Sequence, residues 1–123
     1  MSKILVVDDD PDILEACKLV LEKEGYAVCT AANRNEGMEM VASNAPDLII
    51  LDVMMEEQDD GFVMAQDLRR DGVTLPIMML TSVGKATGMQ FDKDSEMVPV
   101  DEFQAKPVDP VTLIAKVAKL LAN

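Results

Sequence analysis

A chain of 123 residues with 49% hydrophobic side chains has the length and apolar content for one domain around one core, enough to bury roughly 65% of the surface that unfolding exposes. Lys and Arg number 11 against 23 Asp and Glu, a net charge of −12 that repels nucleic-acid phosphates and anionic lipid and so argues against DNA and membrane partners. The chain has no His and only two Cys, Cys17 and Cys29, which share no close spacing, so a His-dependent triad and a zinc site are both hard to build.

Lys3 to Val7 is a short β-branched and aliphatic run that stops in Asp8, Asp9 and Asp10, the pattern of a strand buried on both faces. Asp10 is placed to cap a helix with Pro11 at its first position, and Ile13, Leu14, Cys17, Val20 and Leu21 then recur on one helical face until Gly25 closes it. Tyr26 to Ala31 reads as a second strand. Asn33 with Glu36 forms a capping pair for a helix through Met38, Val41 and Ala42. Leu48 to Leu51 is an apolar strand ending in Asp52, and Gly61 to Asp71 carries Phe62, Ala65 and Leu68 on one helical face. Leu75 to Leu80 is the fourth strand, followed by Thr81 and Ser82. Val83 to Val100, interrupted by Gly84, Gly88 and Pro99, has no steady period, so a helix there is short and weakly packed. Phe103 to Ala105 is a weak fifth strand before Lys106, and Asp109 caps a last helix with Pro110 at its start and Leu113, Ile114, Val117, Leu120 and Leu121 inward. Both cysteines fall on the apolar sides of their segments and read as buried thiols. The N-terminal stretch lacks the long apolar region of a signal peptide and no apolar run approaches the roughly 20 residues that span a bilayer, so the expected location is the cytoplasm.

Apolar strands alternating with amphipathic helices imply a doubly wound α/β fold, a five-stranded parallel sheet covered on both faces. In such sheets reactive residues collect outside the carboxyl ends of the strands. Those ends carry Asp8 and Asp9, then Asp52, then Thr81 and Ser82, then Lys106. Any one of these acids is as readily a turn former or helix cap. Together, three converging carboxylates need a cation to offset their repulsion, and an oxygen-rich Mg²⁺ site meets that need.

The segments "KILVVDDDPDIL", "DLIILDVMM", "PIMMLTS" and "FQAKPVDP" resemble, in order and over essentially the whole chain, the response regulator receiver family. The resemblance implies a flavodoxin-like receiver fold formed by residues 1–123 as a single domain without an output domain. It implies that Asp52 is the phosphoacceptor and that Asp8 and Asp9 are the acidic pair that holds Mg²⁺ or Mn²⁺ with Asp52 and the backbone carbonyl of Met54. Thr81 corresponds to the switch hydroxyl, Lys106 to the phosphoryl-binding lysine and Phe103 to the switch aromatic. The implied partners are a sensor histidine kinase or phosphotransfer protein, which supplies the phosphohistidine this His-free chain lacks, and an output protein that reads a phosphorylation-dependent surface. The chain departs from the family at Glu56, where a Pro commonly stands, in the acidic stretch before Gly61, and in a longer interval between Thr81 and Lys106.

Three other readings compete. A non-phosphorylated binding module of the same fold has no need of the acids or of Lys106. A flavodoxin-like electron carrier needs a Ser, Thr and Gly rich loop after the first strand, where Asp8 to Asp10 would repel phosphate. A phosphatase with an aspartyl nucleophile needs a second acid two residues on, where Met54 stands. An enzyme acting on other molecules is therefore not expected.

Overall fold

A computed structural model describes residues 2–52, 60–82, 102–106 and 109–122. In chain order the elements are β1 (Lys3–Val7), α1 (Pro11–Lys23), β2 (Ala27–Ala31), α2 (Arg34–Asn44), β3 (Leu48–Asp52), α3 (Asp60–Arg70), β4 (Ile77–Ser82), β5 (Glu102–Lys106) and α4 (Pro110–Leu121). The five strands form one sheet in the order β2-β1-β3-β4-β5, with every pairing parallel. The expected doubly wound sheet is thus present. Residues 83–101, where a short fourth helix is expected, lie outside the described residues, as do residues 53–59.

Alternation along the buried strands divides the interior into two layers. Leu5, Val7, Ile49, Leu51, Ile77 and Met79 point to one face, where Met64, Ala65 and Leu68 of α3 and the partly buried Met38 and Val41 of α2 cover them. Ile4, Val6, Leu48, Ile50, Met78 and Leu80 point to the other, beneath Cys17 and Leu21 of α1 and Leu113 and Val117 of α4. Strands apolar on both sides are what a sheet sandwiched between helices requires. Buried Glu102, at the start of β5, faces Lys116 and Lys119 of α4 at 3.9 and 4.0 Å, which ties the edge strand to the helix above it.

The helix starts follow local chemistry. Asp10 accepts from the Asp12 amide at 2.9 Å with Pro11 next to it. Asn33 accepts from the Glu36 amide at 2.9 Å while Glu36 Oε1 accepts from the amide of Ala32, the residue before the cap, at 3.1 Å, a variant of the reciprocal capping box. Asp109 accepts from the amide and hydroxyl of Thr112. Gly25, at φ 93°, closes α1 in the left-handed region that glycine adopts without cost.

Besides one-residue shifts at the ends of α3 and β5, the structure corrects the sequence reading in four places. β2 starts at Ala27, because the Tyr26 amide is spent on Leu21 O in the end of α1. β4 starts at Ile77 and runs through Ser82: Pro76 has no N–H to give the ladder, and the Leu75 and Val73 carbonyls are taken by Nη1 of Arg69 at 2.7 and 3.0 Å. On α2 the inward stripe is Gly37, Met38, Met40 and Val41, and Ala42 is exposed. Cys17 is buried as expected, whereas Cys29 is only half-buried, its Sγ donating to Ile4 O at 3.7 Å. Among the described residues no helix is long and apolar enough to cross a membrane.

Candidate functional site

The strand order reverses direction at β1, with β2 on one side and β3 on the other, and the crevice that such a switch point creates belongs at the carboxyl ends of β1 and β3. Asp8 directly follows β1 and is fully buried. Its amide donates to Ala31 O at 3.1 Å, carrying the strand contact one residue past β1, and its Oδ1 accepts from the Asp10 amide at 2.9 Å. Asp9 is exposed. Asp52 is the last residue of β3, paired with Leu80 of β4 and 5% exposed.

Ligand oxygens of Asp8, Asp9 and Asp52 all lie within 4.8 Å of one another. Two like charges at 4.8 Å repel by about 3.5 kcal/mol where the effective dielectric is about 20, and water around Asp9 lowers that figure. The donor set is three hard carboxylate oxygens with no nitrogen or sulfur among them. It fits a divalent cation of the Mg²⁺ or Mn²⁺ kind and does not fit zinc or copper.

Register brings two further candidates to the same edge of the sheet. Thr81 follows Leu80, the partner of Asp52, and pairs with Ala105, while Ser82 pairs with Lys106, so the backbones of Thr81 and Lys106 stand at the carboxyl ends of β4 and β5. Phe103 pairs with Met79, three residues short of the Ser82–Lys106 pair at that edge. Met54 lies outside the described residues. Asp10 is the member of the constellation that sequence reading placed only as a helix cap: its amide also reaches Asp8, a contact that depends on how the chain turns between β1 and α1.

Comparison with known proteins places this geometry in a family. A family model described as "Response regulator receiver domain" matches residues 4–118. The chain is similar to the DNA-binding dual master transcriptional regulator RpaA of Synechocystis sp., at 37% identity over 98% of this chain and 49% of that protein. It is also similar to the alkaline phosphatase synthesis transcriptional regulatory protein PhoP of Bacillus subtilis, at 37% identity over 98% of this chain and 48% of that one. The chain thus spans about half the length of these curated relatives. Among solved structures, the response regulator TrrA of Thermotoga maritima, in complex with Mg²⁺ and BeF, superposes with a TM-score of 0.82 at 34% identity, covering 98% of this chain and 99% of that one. Receiver domains are the phosphorylation-based signalling modules of two-component systems. By its sheet order, its acidic crevice and the family match over nearly its whole length, this chain belongs to the response regulator receiver domain family.

Proposed function

We propose that this chain is a phosphoacceptor that takes a phosphoryl group from a phosphohistidine on a sensor histidine kinase or phosphotransfer protein. The observation that carries the reading is the convergence of Asp8, Asp9 and Asp52 within 4.8 Å at the switch point of the sheet. An Asp52 oxygen attacks the phosphorus in line; a P–O bond forms, the P–N bond breaks, and the imidazole leaves as neutral histidine after taking a proton. Asp8, Asp9, Asp52 and the Met54 carbonyl are the ligands assigned to Mg²⁺. When bound, that ion offsets the charge spread over the transferring phosphoryl oxygens. Lys106 supplies a second positive charge from the end of β5. Thr81, at the end of β4, donates its hydroxyl to a phosphoryl oxygen, and Phe103 follows it, so that a local charge event changes a surface. An output protein reads that surface, which we assign to the chain between β4 and β5. RpaA is by name DNA-binding, but this chain spans only 49% of it and carries −12 charges, so a protein partner fits better than nucleic acid.

The test is phosphorylation with phosphoramidate, a P–N donor that stands in for phosphohistidine, in the presence of Mg²⁺. Intact-protein mass spectrometry should show one base-labile phosphoryl group on the wild-type chain and none on Asp52→Asn. A label of undiminished stoichiometry on Asp52→Asn overturns the assignment. The same experiment with EDTA should leave the wild type unlabelled.

A further inference from the structure

The three consecutive aspartates after β1 have three different fates. Asp8 is fully buried, Asp9 is exposed within the carboxylate cluster, and Asp10 caps α1. Asp10 is held from the helix side by several bonds. Its Oδ1 accepts from the Asp12 amide at 2.9 Å, and its carbonyl accepts from the amides of Ile13 at 3.1 Å and Leu14 at 3.2 Å. The helix is itself anchored in the core by Cys17 and Leu21. On the other side, the Asp10 amide donates to Asp8 Oδ1 at 2.9 Å. The backbone of Asp10, φ −93° and ψ 110°, is the extended conformation of a capping residue, so Asp10 joins the two ends: its side chain and carbonyl bond forward into α1 and its amide bonds back to Asp8.

A carboxylate that is free to turn about its Cβ–Cγ bond meets a cation in only part of its orientations, whereas a hydrogen bond to one oxygen fixes the plane before the cation arrives. We propose that Asp10 is a positioning residue: by capping α1 it holds its own amide against Asp8 and presets that buried carboxylate for the divalent cation. The inference rests on the reading of Asp8, Asp9 and Asp52 as the cation pocket. It assigns the effect to the capping bond and not to Asp10's negative charge, because the Asp10 carboxylate is engaged with the helix.

The test is direct Mn²⁺ binding by the full chain without any phosphoryl donor, with free Mn²⁺ read by electron paramagnetic resonance. Asp10→Asn and Asp10→Ser keep a capping oxygen and lose the charge; they should bind Mn²⁺ as the wild type does. Asp10→Ala loses the cap and should bind about tenfold more weakly, the scale on which groups behind metal ligands act. Circular dichroism checks that the variants are folded, and Asp10→Gly, a milder replacement without a side-chain acceptor, takes the place of the alanine variant if that one is not. Unchanged affinity in the variants without a cap overturns the proposal, and so does equal weakening in Asn, Ser and Ala, which would be an effect of charge. A wild-type chain that binds no Mn²⁺ overturns the pocket itself, and the proposal with it.

Discussion

Removing one carboxylate from the acidic crevice should have opposite effects with and without metal. Asp9→Asn removes a charge whose neighbours are Asp8 and Asp52, all within 4.8 Å. The Asp8–Asp9 repulsion exists in the unfolded chain too, because the two are adjacent, so folding adds mainly the Asp9–Asp52 pair. Asp9 is exposed, which puts that pair near the aqueous limit of about 0.9 kcal/mol at 4.8 Å rather than the 3.5 kcal/mol of an effective dielectric of about 20. With about 2.1 cal/mol/K of unfolding entropy per residue, a chain of 123 residues gains about 4 °C in melting temperature per kcal/mol. In EDTA, then, Asp9→Asn should melt about 3–4 °C above the wild type. Mg²⁺ at ten times its dissociation constant stabilises the wild type by about 1.4 kcal/mol, or about 5 °C, so the order of the two proteins should reverse as Mg²⁺ is added. Differential scanning calorimetry across a Mg²⁺ series reads both effects. A variant less stable than the wild type in EDTA, or one that gains as much from Mg²⁺ as the wild type does, refutes the reasoning.

Gly37→Ala places a Cβ 2.8 Å from Met64 Cε and 3.1 Å from Val7 Cγ2. The end of Met64 can swing aside but branched Val7 in β1 cannot, so overpacking of about 1–3 kcal/mol outweighs the roughly 1 kcal/mol gain in helix propensity, and urea unfolding should show a loss of about 1 kcal/mol. Burial raises the Cys29 thiol above its usual 9.0, against an opposing pull from Lys3. Because the unfolded thiol ionises first, stability from this site is full below pH 9.0 and declines as pH rises past it, a decline that Cys29→Ala should lessen in melts across that range. The side-chain hydroxyl of Thr112, helped by its amide, holds the Asp109 carboxyl below its usual 3.8. Its contribution is therefore present above pH 3.8 and lost as pH falls further, and Asp109→Asn should flatten that acid-side loss in circular dichroism melts.

The parts of the fold that the sequence declares are those decided by neighbours a few positions apart. Asp10 with Pro11, Asn33 with Glu36 and Asp109 with Pro110 each close a hydrogen bond within four residues, and each helix starts where that chemistry says. The unbroken apolar runs declare strands buried on two sides, and the parallel topology then predicts that Asp8, Asp9 and Asp52 meet, as the structure shows. What the sequence conceals depends on contacts across the chain. The start of β4 is moved by Arg69, whose guanidinium takes the Leu75 carbonyl that a strand at Leu75 would have used, and that of Val73 before it. The inward face of α2 is centred on Gly37, which packs close to Val7 and Met64, and Ala42, about 140° further round the helix, is exposed. The amide of Asp10 is invisible in a string of side chains, yet it is the group that touches Asp8.

Two helix pairs lie back to back across one sheet, and their apolar contacts form separate sets: residues such as Val7 and Met64 on one side, Val6 and Leu21 on the other. Among the described residues the two buried sets share no member. A substitution that repacks the interior beneath α1 and α4 therefore leaves the side-chain contacts of α2 and α3 in place, and its effect on stability adds to that of a substitution on the far side. The acidic crevice takes its carboxylates from the ends of the strands between those layers. Drift in the contacts of one helical face can accordingly proceed without retuning the opposite face, whereas the strand ends are reached from the α1 side through the bond from Asp10 to Asp8.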